Sequence, residues 1–156
     1  TTRNGKTIMK LIVLSSHFGE RALVRGARSG EYFSMIELLD AGVDVHAEND
    51  LALWNAVDTN FLLLAQALIK AGADVNACDG RALLTAAHHA NEDMASLLIR
   101  SGAKVDAQDY AALRAAAMHV ASGKGKVFDV ILNAALKDRL PAAIPSTAQA
   151  PAPDMS

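Results

Sequence analysis

The hexapeptide Gly72-Ala73-Asp74-Val75-Asn76-Ala77 has two counterparts, Gly42-Val43-Asp44-Val45-His46-Ala47 before it and Gly102-Ala103-Lys104-Val105-Asp106-Ala107 after it. The three glycines recur every 30 residues. An Ala-Leu pair keeps the same interval at Ala22-Leu23, Ala52-Leu53, Ala82-Leu83 and Ala112-Leu113. Ala56, Ala86 and Ala116 follow the last three of those leucines, with Gly26 at that place in the first unit, and Leu38-Leu39, Leu68-Ile69 and Leu98-Ile99 complete the pattern. A fixed period of this length is the signature of a repeat architecture, which dictates the whole fold.

Each unit reads as two short helices and a turn. Leu53, Ala56 and Val57 fall at i, i+3 and i+4 and so share one helical face, as Leu83, Ala86 and Ala87 do. Asn60 stands at the turn position that Gly30 holds in the first unit, and Leu64, Ala65, Leu68 and Ile69 form the stripe of a second helix. Gly72 ends that helix, because a left-handed terminating residue costs glycine no steric clash. Val75-Asn76-Ala77 is expected to be extended, with Asn49, Asp79 and Asp109 capping the following first helices. One unit alone cannot bury both stripes; units stacked on one another can, and small alanines let the helices approach closely.

Composition agrees. The chain has 156 residues, of which 51% are apolar and 21% charged, so it is globular rather than disordered. Aromatic residues make up only 4% against 31 alanines, so close helix packing, not bulky side chains, must fill the interior. The single cysteine, Cys78, excludes an intramolecular disulfide framework and a zinc site of several thiolates, and suits a reducing compartment. The early apolar run Leu11 to Leu14 is short of a signal peptide's apolar stretch, and no run approaches the roughly 20 residues of a membrane span. These observations lead us to expect a soluble cytoplasmic protein.

The expected organisation is an N-terminal capping segment over residues 1–19, a repeat domain over 20–140 with units at about 20–50, 51–80, 81–110 and 111–140, and a flexible Pro/Ala-rich tail over 141–156. Ile8 to His17 reads as a capping helix or equally as a short strand. In the fourth unit Ser122-Gly123-Lys124-Gly125 lengthens the turn, and a last helix runs from about Lys126 to Leu140 with Lys137, Asp138 and Arg139 on its polar exterior.

Two short helices followed by Gly-Ala-Asp-Val-Asn-Ala-Cys-Asp at 72–79 resemble ankyrin repeats, over about residues 20–133. The resemblance implies an all-α, ankyrin-type solenoid of stacked helix-turn-helix repeats with short hairpin fingers. The Thr-Pro-Leu-His tetrapeptide of that family is absent: Arg21-Ala22-Leu23-Val24, Leu51-Ala52-Leu53-Trp54, Arg81-Ala82-Leu83-Leu84 and Ala111-Ala112-Leu113-Arg114 stand in its place. The stretch from finger to helix is also shorter than the family's, which is similar to the compact 30-residue variant of some bacterial and large-virus ankyrin proteins.

Nothing in the sequence reads as a catalytic constellation. No dinucleotide or phosphate-loop motif, no Gly-x-Ser-x-Gly and no His-Glu-x-x-His occurs. Gly123-Lys124-Gly125-Lys126 is too short for a phosphate loop and reads as a solvated turn. His88, His89 and His119 are the best metal candidates, but a stable zinc site wants three or four ligands and adjacent helical residues diverge by about 100°. We therefore expect no enzyme, no cofactor and no metal.

The resemblance implies a concave surface made from the fingers and the exposed side of the first helices. Carried over position by position, its columns here are Arg28, Asp58, His88 and Met118, beside Ser29, Thr59, His89 and His119. The finger positions add Glu48, Asp50, Cys78, Arg81, Gln108 and Tyr110. That mixture suits a protein partner better than a phosphate backbone, which wants a continuous row of Lys and Arg. Taken singly, each of these residues also fits ordinary solvated variation between units. Trp54, where the family has the tetrapeptide histidine, reads either as an interface anchor or as a filler between neighbouring units.

Net charge is −2, but it is unevenly placed. Residues 1–30 hold Arg3, Lys6, Lys10, Arg21, Arg25 and Arg28 against Glu20, or +5. Residues 31–60 hold Glu31, Glu37, Asp40, Asp44, Glu48, Asp50 and Asp58 and no Lys or Arg, or −7. Such neighbouring blocks are expected to neutralise each other within the fold, or else to mark a charged docking face. The functional expectation is a protein-binding adaptor or inhibitor, monomeric or weakly self-associating. Its alternatives are a structural protein that self-associates head to tail through the two blocks, and nucleic-acid binding by the basic N-terminus.

Overall fold

A computed structural model describes residues 17–139; the expected N-terminal helix or strand before His17 and the tail lie outside the described residues. Eight helices follow in chain order: α1 (His17–Ser29), α2 (Tyr32–Asp40), α3 (Ala47–Asp58), α4 (Leu62–Lys70), α5 (Ala77–His88), α6 (Glu92–Arg100), α7 (Ala107–Ala117) and α8 (Lys126–Arg139). The first helices α1, α3, α5 and α7 pack side by side in one layer, and the second helices α2, α4, α6 and α8 form the other. α1 opens at His17, three residues before the expected start of the first unit.

The periodic positions build the interior. Leu23, Leu53 and Leu83 are buried in the first layer, Leu68 and Leu98 in the second, and Ala27, Ala52, Ala56, Ala82, Ala86, Ala112 and Ala116 occupy the close contacts between neighbouring first helices. In α8 the same role falls to Val127 and Ile131. Each second helix of the first three repeats ends as its glycine predicts. The amides of Val43, Ala73 and Ala103 reach back to the carbonyls of Leu38, Leu68 and Leu98, with Gly42, Gly72 and Gly102 at φ 84°, 105° and 94°. First helices close in the same way on Gly30, Asn60 and Ala90, also at positive φ.

The finger differs from the sequence-based expectation. No strand occurs among the described residues, so it is not a hydrogen-bonded hairpin, and Asn76 at φ −99°, ψ 2° turns rather than extends the chain. Three consecutive left-handed residues follow in each repeat: Glu48–Asp50, Cys78–Gly80 and Gln108–Tyr110. A bond from the amide of Asp50, Gly80 or Tyr110 to the carbonyl of His46, Asn76 or Asp106 closes this left-handed turn. Asn49, Asp79 and Asp109 lie inside it and make no side-chain cap to the helix that follows. Left-handed residues other than glycine cost about 1–2 kcal/mol each, so local preference alone does not favour this turn.

Two different devices tie the first two of these turns to the next repeat. Between the second and third units, Asn76 Nδ2 donates to the Gly102 carbonyl at 3.0 Å and Asn76 Oδ1 accepts from the Lys104 amide at 2.7 Å. His46 stands at the equivalent place one repeat earlier and cannot play both roles. There Asp50 Oδ1 accepts from the Asp74 amide at 2.9 Å, while His46 Nδ1 lies 3.1 Å from the same carboxylate oxygen. Among the described residues no buried side-chain nitrogen or oxygen lacks a partner.

Ala90, at φ 52°, occupies the turn that Gly30 and Asn60 hold in the first two units. Ala90→Gly should therefore stabilise the protein, by about 0.5–1 kcal/mol once glycine's greater unfolded-state freedom is subtracted. A urea midpoint unchanged or lowered by this substitution would contradict the assigned turn.

Candidate functional site

The four side chains of the column read from the sequence are all exposed. Arg28, Asp58 and His88 close the last turns of α1, α3 and α5, and Met118, 76% exposed, follows α7. α3 and α5 each begin at a left-handed turn and stop at a turn of the Gly30 type, which gives both the same length of 12 residues.

Neighbouring columns are cross-linked one repeat apart. His89 Nε2 lies 3.3 Å from Asp58 Oδ1, and His119 Nε2 lies 2.9 Å from the His88 carbonyl oxygen. Asn91 Nδ2 donates to Asn60 Oδ1 just behind them. Thr59 turns inward, donating from Oγ1 to the Asn55 carbonyl at 2.7 Å. The imidazoles of His89 and His119 are thus engaged with different repeats, and no group of three or more His, Cys, Asp or Glu among the described residues is arranged to hold a metal ion.

The finger residues divide. Glu48 is exposed. Asp50, expected on the binding surface, is only 6% exposed, because its carboxylate turns into the stack to receive the Asp74 amide. Tyr110 sits half-buried at the C-terminal end, where its hydroxyl accepts from Arg139 Nε at 3.0 Å. Gln108 reaches back to the Asp79 carbonyl at 3.0 Å. Cys78 is an exposed free thiol, in weak contact with the Asn49 amide nitrogen at 3.6 Å.

Trp54, half-buried, bridges repeats as the filler reading requires. Its Nε1 donates to Thr85 Oγ1 at 2.9 Å, and the Arg81 guanidinium lies 4.0 Å from its ring centroid. Behind it, buried Asn55 donates to the Val24 carbonyl at 3.1 Å and ties α3 to α1. The repeat alignment places Trp54 and Arg81, but nothing in it signals that the two stack.

Among the described residues no ion pair joins an arginine of the first block to an acid of the second. Arg21, Arg25 and Arg28 lie on α1, whereas the acids of the second block divide between the layers, Glu37 and Asp40 on α2 and Glu48, Asp50 and Asp58 on the neighbouring first helix α3.

A family model of ankyrin repeats in three copies matches residues 2–109 of the chain. The chain belongs to the ankyrin repeat family. Ankyrin repeats are in general protein–protein interaction modules and typically lack enzymatic activity. The fourth helix pair of this ankyrin stack, α7 and α8, lies almost wholly beyond the matched region. A comparison with curated proteins found no match. No helix among the described residues of the ankyrin stack is long and apolar enough to cross a membrane.

Proposed function

We propose that this ankyrin stack is a non-enzymatic module, working in the cytoplasm as an adaptor or inhibitor, that holds a protein partner across the exposed side of its first-helix layer. The observation that carries this reading is the row Arg28, Asp58, His88 and Met118, flanked by His89, His119, Glu48, Arg81 and Tyr110. Cross-repeat bonds hold Asp58, His89 and His119 in place, so those side chains lose little conformational freedom when a partner docks. Both signs of charge, imidazole, thioether and aromatic groups alternate along it, the mixture found at protein interfaces and unlike an unbroken cationic track. Asp50 is not part of this set.

Capture from nuclease-treated lysate of the source cell tests it, comparing the wild type with a variant carrying Arg28→Ala, Asp58→Ala, His88→Ala and His119→Ala. All four side chains are outside the core, so the variant should keep the wild-type circular dichroism. The expected result is one protein retained by the wild type and lost by the variant. Equal recovery by both would place the binding surface on the second-helix layer instead.

A further inference from the structure

Arg21, Arg25 and Arg28 fall at i, i+4 and i+7 of α1, along one face and within about 10 Å of helix rise. All three are exposed, and among the described residues none has a hydrogen bond or an ion pair. They form one wall of a groove of about 340 Å³ between α1 and α3. Its floor is apolar, made by half-buried Val24, Leu51 and Trp54, and Glu48 of the left-handed turn stands on the opposite wall. Three like charges side by side repel one another, and Asp50 and Asp58 of the adjoining α3 are engaged with other partners, the Asp74 amide and His89.

We infer that this groove takes an acidic segment of a protein partner, with carboxylates about one helical turn apart on the arginine wall and an apolar side chain on the Trp54 floor. Guanidinium and carboxylate meet as paired charge-assisted hydrogen bonds, a geometry a planar fork favours. A nucleic-acid strand fits less well: Glu48, and Asp58 farther along the row, oppose a continuous line of phosphates. The inference rests on the reading of this layer as a protein-binding surface and adds the partner's chemistry.

Trp54 is the sole tryptophan of the chain, so its emission reports on the groove directly. The full chain is titrated at low salt with a short tryptophan-free peptide of glutamate and leucine, with its glutamine-for-glutamate counterpart, and with oligothymidylate. The acidic peptide should shift Trp54 emission saturably, with affinity falling as salt rises. Replacing all three arginines (Arg21→Gln, Arg25→Gln, Arg28→Gln) should weaken it about tenfold, the sum of three exposed charge pairs. Glu48→Gln should tighten binding roughly twofold, a gain that misfolding cannot imitate.

An unmoved emission, equal binding of the glutamine peptide, or an unaltered affinity in the arginine variant would overturn the inference. Tighter binding of oligothymidylate would overturn it too, in favour of a phosphate site. If lysate capture still depends on His88 and His119 while the acidic peptide leaves Trp54 unmoved, the inference falls and the protein-binding reading stands. If the peptide binds as expected and capture is indifferent to the inner row, the reverse holds.

Discussion

Leu68→Ala is expected to lower the free energy of unfolding by about 3 kcal/mol. Leu68 is 0% exposed and lies in α4, which packs on both α2 and α6. Truncation leaves a cavity in the second-helix layer whose walls, Leu64, Ala65 and Leu98 among them, are themselves part of the continuous core. Each repeat is stabilised mainly by its neighbours, so a defect in an interior unit weakens two interfaces, whereas one in a terminal unit weakens one. Leu136→Ala supplies the contrast: Leu136 is 47% exposed near the end of α8, and its loss should cost less than about 1 kcal/mol. Urea denaturation of both variants, with unchanged slope and a much lower midpoint only for Leu68→Ala, checks this. Similar losses at the two positions would be inconsistent with the stack described above.

Gly30→Ala should be nearly as damaging, at about 2–3 kcal/mol, and for two separable reasons. Gly30 has φ 74°, where any L side chain is strained, and a Cβ there would come within 2.1 Å of Phe61 Cζ. Phe61 belongs to the next repeat, so the missing side chain is what lets the two turns approach. A double-mutant cycle with Phe61→Ala divides the effects. Removing the ring in the Gly30→Ala background should recover the contact part and leave the backbone part of about 1 kcal/mol. Simple additivity of the two substitutions would show that the ring does not lie over Gly30. The third repeat meets the same geometry differently, with Ala90 at the turn and Asn91 bonded to Asn60 in place of an aromatic contact.

Much of the architecture was legible because it depends on short-range rules. The 30-residue period, the helical spacing of Leu53, Ala56 and Val57, and the glycine at each second-helix end determine two helices per unit and where they stop. Once the units are aligned, Arg28, Asp58, His88 and Met118 must form a row, since equivalent positions in a stack are neighbours. Alanine abundance with few aromatics likewise pointed to closely packed helices.

The finger was not legible. Three successive left-handed residues in which only Gly80 is a glycine run against local preference, so a local reading favours an extended segment and an N-cap. The carboxylate of Asp50 and the amide of Asn76, reaching the next repeat, tie down the first two of these turns, and Gln108, reaching back to the Asp79 carbonyl, the third. The contact with the Asp74 amide buries Asp50, which as a sequence feature is indistinguishable from exposed Glu48.

The sequence by itself thus determined the repeat, the helices, the core positions and the row of variable side chains, all of which follow from periodicity and backbone hydrogen bonding within a few residues. The tertiary structure alone decided how each side chain meets the neighbouring repeat: the left-handed turn, the Trp54–Thr85 bond with Arg81 over the ring, and the burial of Asp50 against the Asp74 amide. Those outcomes depend on direction and distance across an interface between repeats, and spacing along the chain carries neither.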